Sequence, residues 1–203
     1  MTLTRAERES IAAAIATAEA KTSAEIVVVV DRLAGSWRSW SMVVALLLAM
    51  VVPWPLILWT SLATQTIFAL QLLMAAALIA LFMPQSTRLR LVPRLLRRRR
   101  GHEAALREFT ARGLSMTRGR TGVLIYVALA ERYAEVLTDS AISDAVDAEI
   151  WRTLVAELIT SIAAGNLAGG LRSAVDQAAG VLATVAPPRT DDLNELDNKV
   201  IVL

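Results

Sequence analysis

Hydrophobic and polar positions follow three rhythms along this chain, and each predicts a different kind of element. The first is unbroken apolarity. Ser39 to Thr60 holds no charged residue and is mostly Val, Leu, Met and Trp. As a helix its 22 residues would extend about 33 Å, enough for about 30 Å of bilayer hydrocarbon. Thr66 to Met83 is also uncharged, and its 18 residues reach about 27 Å, enough with help from flanking residues. The connection from Ser61 to Gln65 allows only a tight turn, so the two runs are antiparallel. They predict a transmembrane hairpin over 39–83. Pro53 and Pro55 are expected to kink the first span or end it early. Trp37, Trp40, Trp54 and Trp59 fall near the expected interfaces, where an indole is favoured.

The second rhythm has the helical period. Thr4 and Glu7 have the spacing of a capping box, and Ile11, Ala14, Ile15 and Ala18 then share one face, which predicts a helix from Arg5 to Lys21. Leu106, Phe109 and Gly113 mark a short helix from His102 to Arg112. Ile150, Trp151, Leu154, Leu158 and Ile162 mark a longer one over 145–164, with Asp144 as its cap and Gly165-Asn166 as its stop. Leu167, Leu171, Val175, Ala178 and Leu182 mark a last helix, ended by Pro187-Pro188.

The third rhythm is that of strands. Ile26 to Val30 are five consecutive β-branched residues, poor in helix and good in strand. Thr121 to Leu129 is a second apolar run, and Tyr133 to Thr138 follows in hairpin relation through Ala130-Glu131-Arg132. Runs without polar alternation imply burial on both faces, and neither is stable alone. Glu25–Val30 is therefore expected to pair with Gly122–Leu129 in one sheet, which makes the membrane segment an insertion into one domain. The order of helices and strands predicts an α/β fold, a three-layer α/β/α sandwich interrupted by a two-helix transmembrane hairpin. The expected organisation is 1–38 as the first helix and strand, 39–83 as the hairpin and 84–100 as an arginine-rich juxtamembrane segment. Residues 101–186 complete the domain, and 187–203 form an acidic flexible tail with an apolar ending at Val200–Leu203.

Charge sharpens this picture. The chain carries a formal net charge of +2 with 55% apolar residues and no cysteine, which excludes disulfides and thiolate chemistry. Arg88, Arg90, Arg94, Arg97, Arg98, Arg99 and Arg100 carry +7 within a stretch free of acids, which leaves −5 for the remainder. Basic residues beside a span stay on the cytoplasmic side. The soluble domain and both termini are then cytoplasmic, with 61–65 on the opposite side of a bacterial-type inner membrane. The same arginines suit anionic lipid headgroups. A nucleic-acid partner is not expected, because such a patch usually spreads over a folded face.

Candidate chemistry is sparse. Asp31 closes the first strand and Asp139 follows the third, and ligands of α/β sheets gather beyond strand ends. With Asp144 or Asp147 they could hold a divalent cation, Ca²⁺ or Mg²⁺, that orients a phosphate or water. The competing reading makes Asp31 a turn residue and Asp144 a helix cap. His102, the one histidine, reads as a solvated residue at a helix start. No catalytic residue is assigned.

Arg120-Thr-Gly-Val-Leu-Ile-Tyr-Val-Ala-Leu-Ala-Glu131, followed by Tyr133–Thr138 and Asp139-Ser-Ala-Ile142, resembles the middle of the TPM-domain family. Thr22-Ser-Ala-Glu-Ile-Val-Val-Val29 fits its opening, and the two closing helices fit its ending. The resemblance covers about 3–31 and 102–186. It implies a three-layer sandwich and roles that are acid phosphatase-like, metal-binding, or concerned with assembly and repair of membrane complexes. Ser140 and Ala141 replace the Arg and Gly of the family's D-R-G-I turn. The function expected is a non-catalytic accessory or scaffold factor at the membrane, in contact with lipid and a membrane-protein complex. The alternative is a divalent-metal-dependent phosphatase-like enzyme.

Overall fold

The computed structural model describes residues 3–35, 37–84, 89, 92–189 and 200–203. It divides into two compact units, one formed by Met1–Ala34 with Arg98–Leu203 and the other by Gly35–Arg97.

The first unit begins with α1 (Arg5–Glu19), whose capping box forms as its sequence demands: Glu7 N–H donates to Thr4 Oγ1 at 3.3 Å, and Thr4 N–H donates to Glu7 Oε2 at 2.7 Å. Ile11, Ile15 and Ala18 are its buried stripe. Next comes β1 (Ile26–Asp31), then α5 (Arg94–Ala111), whose first residues belong to the second unit, then a 3₁₀ turn at Leu114–Met116. The hairpin of β2 (Val123–Ala128) and β3 (Tyr133–Thr138) follows, and after it α6 (Ser140–Ser143), α7 (Ala148–Ala163), α8 (Leu167–Val185) and β4 (Val200–Val202).

The sheet order is β3-β2-β1-β4. β1 runs parallel to β2, with Ile26 opposite Val123 and Asp31 opposite Ala128, while β2 and β3 are antiparallel. The pairing expected across the hairpin therefore holds. Burial explains the unbroken apolar runs. Ile26, Val28, Val30, Val123, Ile125 and Val127 point into one core, together with α1, α7 and α8. Val27, Val29, Leu124, Tyr126 and Ala128 point into the other, with Ala104 and Ala105 of α5. A residue on either face is out of water, so alternation has no polar side to show. Each buried Val or Ile contributes about 1.5–3 kcal/mol.

The Arg120-Thr121-Gly122 stretch has a structural role. Thr121 Oγ1 donates to the Ser23 carbonyl at 2.9 Å, which aligns the start of β2 with the approach to β1. A Cβ on Gly122 would run into the backbone carbonyl oxygen of Leu114, which cannot swing aside. Only glycine leaves that approach open.

Four expectations change. The long helix begins at Ala148 with Asp147 as its cap, accepting from Glu149 N–H at 3.0 Å, and Asp144 instead ends the short α6. The helix expected over 102–112 starts at Arg94, because arginine is a good helix former and the run simply joins it. His102 is thus interior to a helix. Val200–Val202 forms β4, parallel to β1, where the sequence showed only an apolar ending to a tail. A three-residue strand next to an acidic stretch leaves too short a pattern to read.

The second unit contains α2 (Arg38–Val51), α3 (Pro53–Trp59) and α4 (Thr64–Leu81). Ser39–Trp59 and Thr64–Leu81 are long and apolar enough to cross a membrane. The first is interrupted at Val52, which keeps helical angles, because Pro53 has no N–H to continue the ladder. Along α2, Ser41, Ala45 and Ala49 are buried, one turn apart. Small residues at that spacing let the α4 backbone come close.

Candidate functional site

One group of polar residues in the first unit lies at the C-terminal end of β1, beside the core that α5 covers. β1 contributes Asp31. Its Oδ1 accepts the Leu33 N–H at 2.9 Å, turning the chain out of the strand, and its Oδ2 accepts the Tyr126 hydroxyl at 3.1 Å. Glu131, buried in the β2–β3 turn, accepts the Ala34 N–H at 3.2 Å, so two carboxylates hold the same loop from both sides. Burial, and then the nearby charges of Asp31, Glu131 and Glu108, push the Tyr126 hydroxyl far above the usual tyrosine range. Glu108 is itself held by Arg112 at 3.0 Å, one turn along α5.

A second group lies alongside. Tyr126 is directly opposite Glu135 in the antiparallel ladder. Glu135 Oε2 accepts the Tyr133 hydroxyl at 2.7 Å, and its two oxygens lie 2.9 and 3.0 Å from His102 Nδ1. A carboxylate only accepts, so Nδ1 is the protonated nitrogen in this pair. Burial and Glu135 raise the Tyr133 hydroxyl above its ordinary range, and the charge of Arg98 opposes them. α5 approaches β3 closely here because residue 101 is glycine: a Cβ would lie 2.8 Å from Cγ of the Tyr133 ring.

The sequence-derived metal set does not come together. Asp31 is at the end of β1 opposite Ala128, while Asp139 N–H donates to the Gly122 carbonyl at the other end of β2. The six residues of β2 put about 20 Å between those levels, at about 3.3 Å per residue. In an antiparallel hairpin the residue after β3 returns to the start of β2, so the C-terminal ends of β1 and β3 are at opposite ends of the sheet. Asp139 instead caps α6, accepting the Ser140 N–H at 2.7 Å, with Arg120 Nε at 3.8 Å from its other oxygen. Asp144 is exposed at the end of α6. Among the described residues, no three His, Asp or Glu side chains converge as a metal site requires.

Of the arginine run, Arg94, Arg97, Arg98, Arg99 and Arg100 lie on α5, and Arg88 and Arg90 lie outside the described residues. Arg99 and Arg100 reach Glu103 at 3.4 and 4.0 Å, exposed pairs worth little. The group of Tyr126, Tyr133, Glu135 and His102 was missed in the sequence. Period-two reading of β3 carries the signal, since Tyr133 and Glu135 alternate with Ala134 and Val136.

An α/β/α sandwich with this strand order defines the class. Residues 86–181 match the family model of the TPM domain. Its fold is also that of the BA42 protein from the psychrophilic bacterium Bizionia argentinensis, known from an NMR structure. The TM-score is 0.62 at 22% identity, over 100% of this chain and 97% of that one. No curated protein matches the chain.

Proposed function

We propose that the protein is a membrane-anchored TPM domain acting as a non-catalytic accessory or scaffold factor for a membrane complex. The observation that carries this reading is the second unit. Trp54, Leu58, Trp59, Phe68 and Leu73 are more than half exposed there, and only Ile67 is buried along α4. A soluble protein would cover such surface, and a bilayer does so without a partner. The arginines of α5 set the orientation, with the TPM domain cytoplasmic and 61–65 on the far side, and they meet anionic lipid at about 1 kcal/mol each. The accessory role is favoured by how Asp31 is used: one of its oxygens accepts the Leu33 N–H and the other the Tyr126 hydroxyl, both groups of the fold itself.

The second reading is a phosphatase-like enzyme dependent on a divalent cation, favoured by Asp31 and Glu131 at the C-terminal ends of parallel strands. One preparation separates the two. Full chain purified in detergent is assayed for phosphomonoester hydrolysis with Mg²⁺ and with Ca²⁺, beside Asp31→Asn. The accessory reading expects no turnover from either. Turnover abolished by Asp31→Asn with the fold intact would replace it with the enzyme reading. Reporter fusions at Gln65 and Leu203 should give opposite sidedness, and the same side for both would end the hairpin reading.

A further inference from the structure

β1 is the hydrophobic centre of the sheet, yet in sequence it has only one substantial neighbour, β2. Its other edge is covered by three residues. Val200, Ile201 and Val202 lie parallel to Val28, Val29 and Val30, and the pairing is extended by Leu203 N–H to the Val30 carbonyl at 3.0 Å and Arg32 N–H to the Leu203 carbonyl at 3.3 Å. Val200 and Val202 pack against the core beneath α1 and α8, and Ile201 packs against the core beneath α5. All three remain only half-buried, whereas Val28 and Val29 are fully buried. A bare β1 edge would present unpaired N–H and C=O groups between two apolar grooves, which is the form of a site for strand addition.

The connection to this strand is generous. Ala186, where α8 ends, accepts the Ser23 N–H at 2.9 Å, and Val200 is beside Val28. The five residue steps from Ser23 to Val28 separate those levels, about 17 Å when extended. Pro187 to Lys199 is 13 residues, with a reach of about 43–47 Å. That span is long enough to leave the place of the strand to its pairing with Val28–Val30.

We propose that the outer edge of β1 is a binding slot for an extended partner segment with consecutive aliphatic β-branched residues, aligned parallel to β1, and that Val200–Val202 is the built-in occupant such a segment displaces. The register defines the ligand. Its first and third residues enter the α1 side and want the size of Val, its second enters the α5 side, and each backbone N–H facing the edge must be free, which excludes proline.

The test uses full chain in detergent and a variant lacking residues 200–203. The probe is a fluorescent peptide of the chain's own Asp197–Leu203 sequence, with an Ile201→Pro peptide as control. Anisotropy should show the probe binding the deletion variant, with full chain at least tenfold weaker because its own strand competes, and the proline peptide binding neither. Absence of binding to a deletion variant that keeps its β2 hydrogen-exchange protection overturns the proposal. Equal binding to both proteins also overturns it. Should the deletion variant fail to fold, hydrogen exchange of the intact chain decides. The Leu203 amide should then exchange at least tenfold faster than those of Val123–Ala128, and equal protection refutes a displaceable strand.

Discussion

Replacing Gly101 by alanine sets two physical effects against each other. Gly101 is interior to α5, where alanine is favoured over glycine by about 1 kcal/mol from backbone entropy and helix propensity. Considered alone, that effect stabilises. The added Cβ would meet the Tyr133 ring, with Cε1 and Cγ both 2.8 Å away, and Cγ is the fixed base of the ring. The ring is also held at its far end by the Glu135 bond of 2.7 Å. Overpacking of this kind costs about 1–3 kcal/mol. With no easy rotation available, the upper half of that range applies, and the net effect is a loss of about 1–2 kcal/mol. Hydrogen exchange of Val123–Ala128 reads the first unit without interference from the second. Protection there should fall about 5–30-fold. Tyr133→Phe keeps the ring and should leave the penalty in place. On a Tyr133→Ala background Gly101→Ala should become stabilising, by about 0.5–1 kcal/mol. Higher protection in Gly101→Ala alone would mean that propensity decides and that the contact of α5 with β3 is not close.

The chain has two tyrosines, and both are raised above the ordinary value near 10. A raised pKa contributes stability that is complete below the unfolded value and is lost as pH climbs past it. Phenolate absorbance should therefore stay absent above pH ~10 until the fold is lost, and half-titration near pH 10 in folded protein would refute the burial of both hydroxyls. Asp147→Ala should cost about 1 kcal/mol through the cap of α7, while Asp144→Ala should change unfolding very little. A larger loss at Asp144 would restore it as the cap.

The fold was legible where a pattern ran long enough to exclude alternatives. Five β-branched residues at Ile26–Val30 admit only a buried strand, and β1 indeed packs both of its faces. The capping box at Thr4–Glu7 was equally plain, because its two bonds lie within four residues. Caps further along were ambiguous: Asp144 and Asp147 both precede an apolar helix, and the choice depends on α6, one turn too short to leave a period. The site was less legible than the fold. Asp31 and Asp139 each end a strand in sequence, and only the antiparallel return of β3 reveals that these are opposite ends of the sheet. His102 joined Glu135 across 33 residues, a separation that spacing cannot bridge. Tyr126 was hidden inside an apolar run, where its hydroxyl was the one clue to a polar neighbour.

The place of the hairpin follows from the sheet. Antiparallel neighbours can be joined by a turn of two residues, but parallel neighbours require a crossover that returns the chain to the starting end. β1 and β2 are parallel, so a long connection between Asp31 and Val123 is obligatory whatever it contains. In this chain it contains a complete second unit and then α5, which covers one face of the sheet. Inserting the apolar helices there breaks no strand pairing and adds little loop-closure cost, since that cost grows only with the logarithm of length. The same insertion between β2 and β3 would separate a hairpin whose register depends on the short turn at Leu129–Arg132. The apolar helices therefore occupy a connection that the sheet had already made long. The TPM-domain match over residues 86–181 leaves out α1 and β1, which precede the insertion and still complete the sandwich.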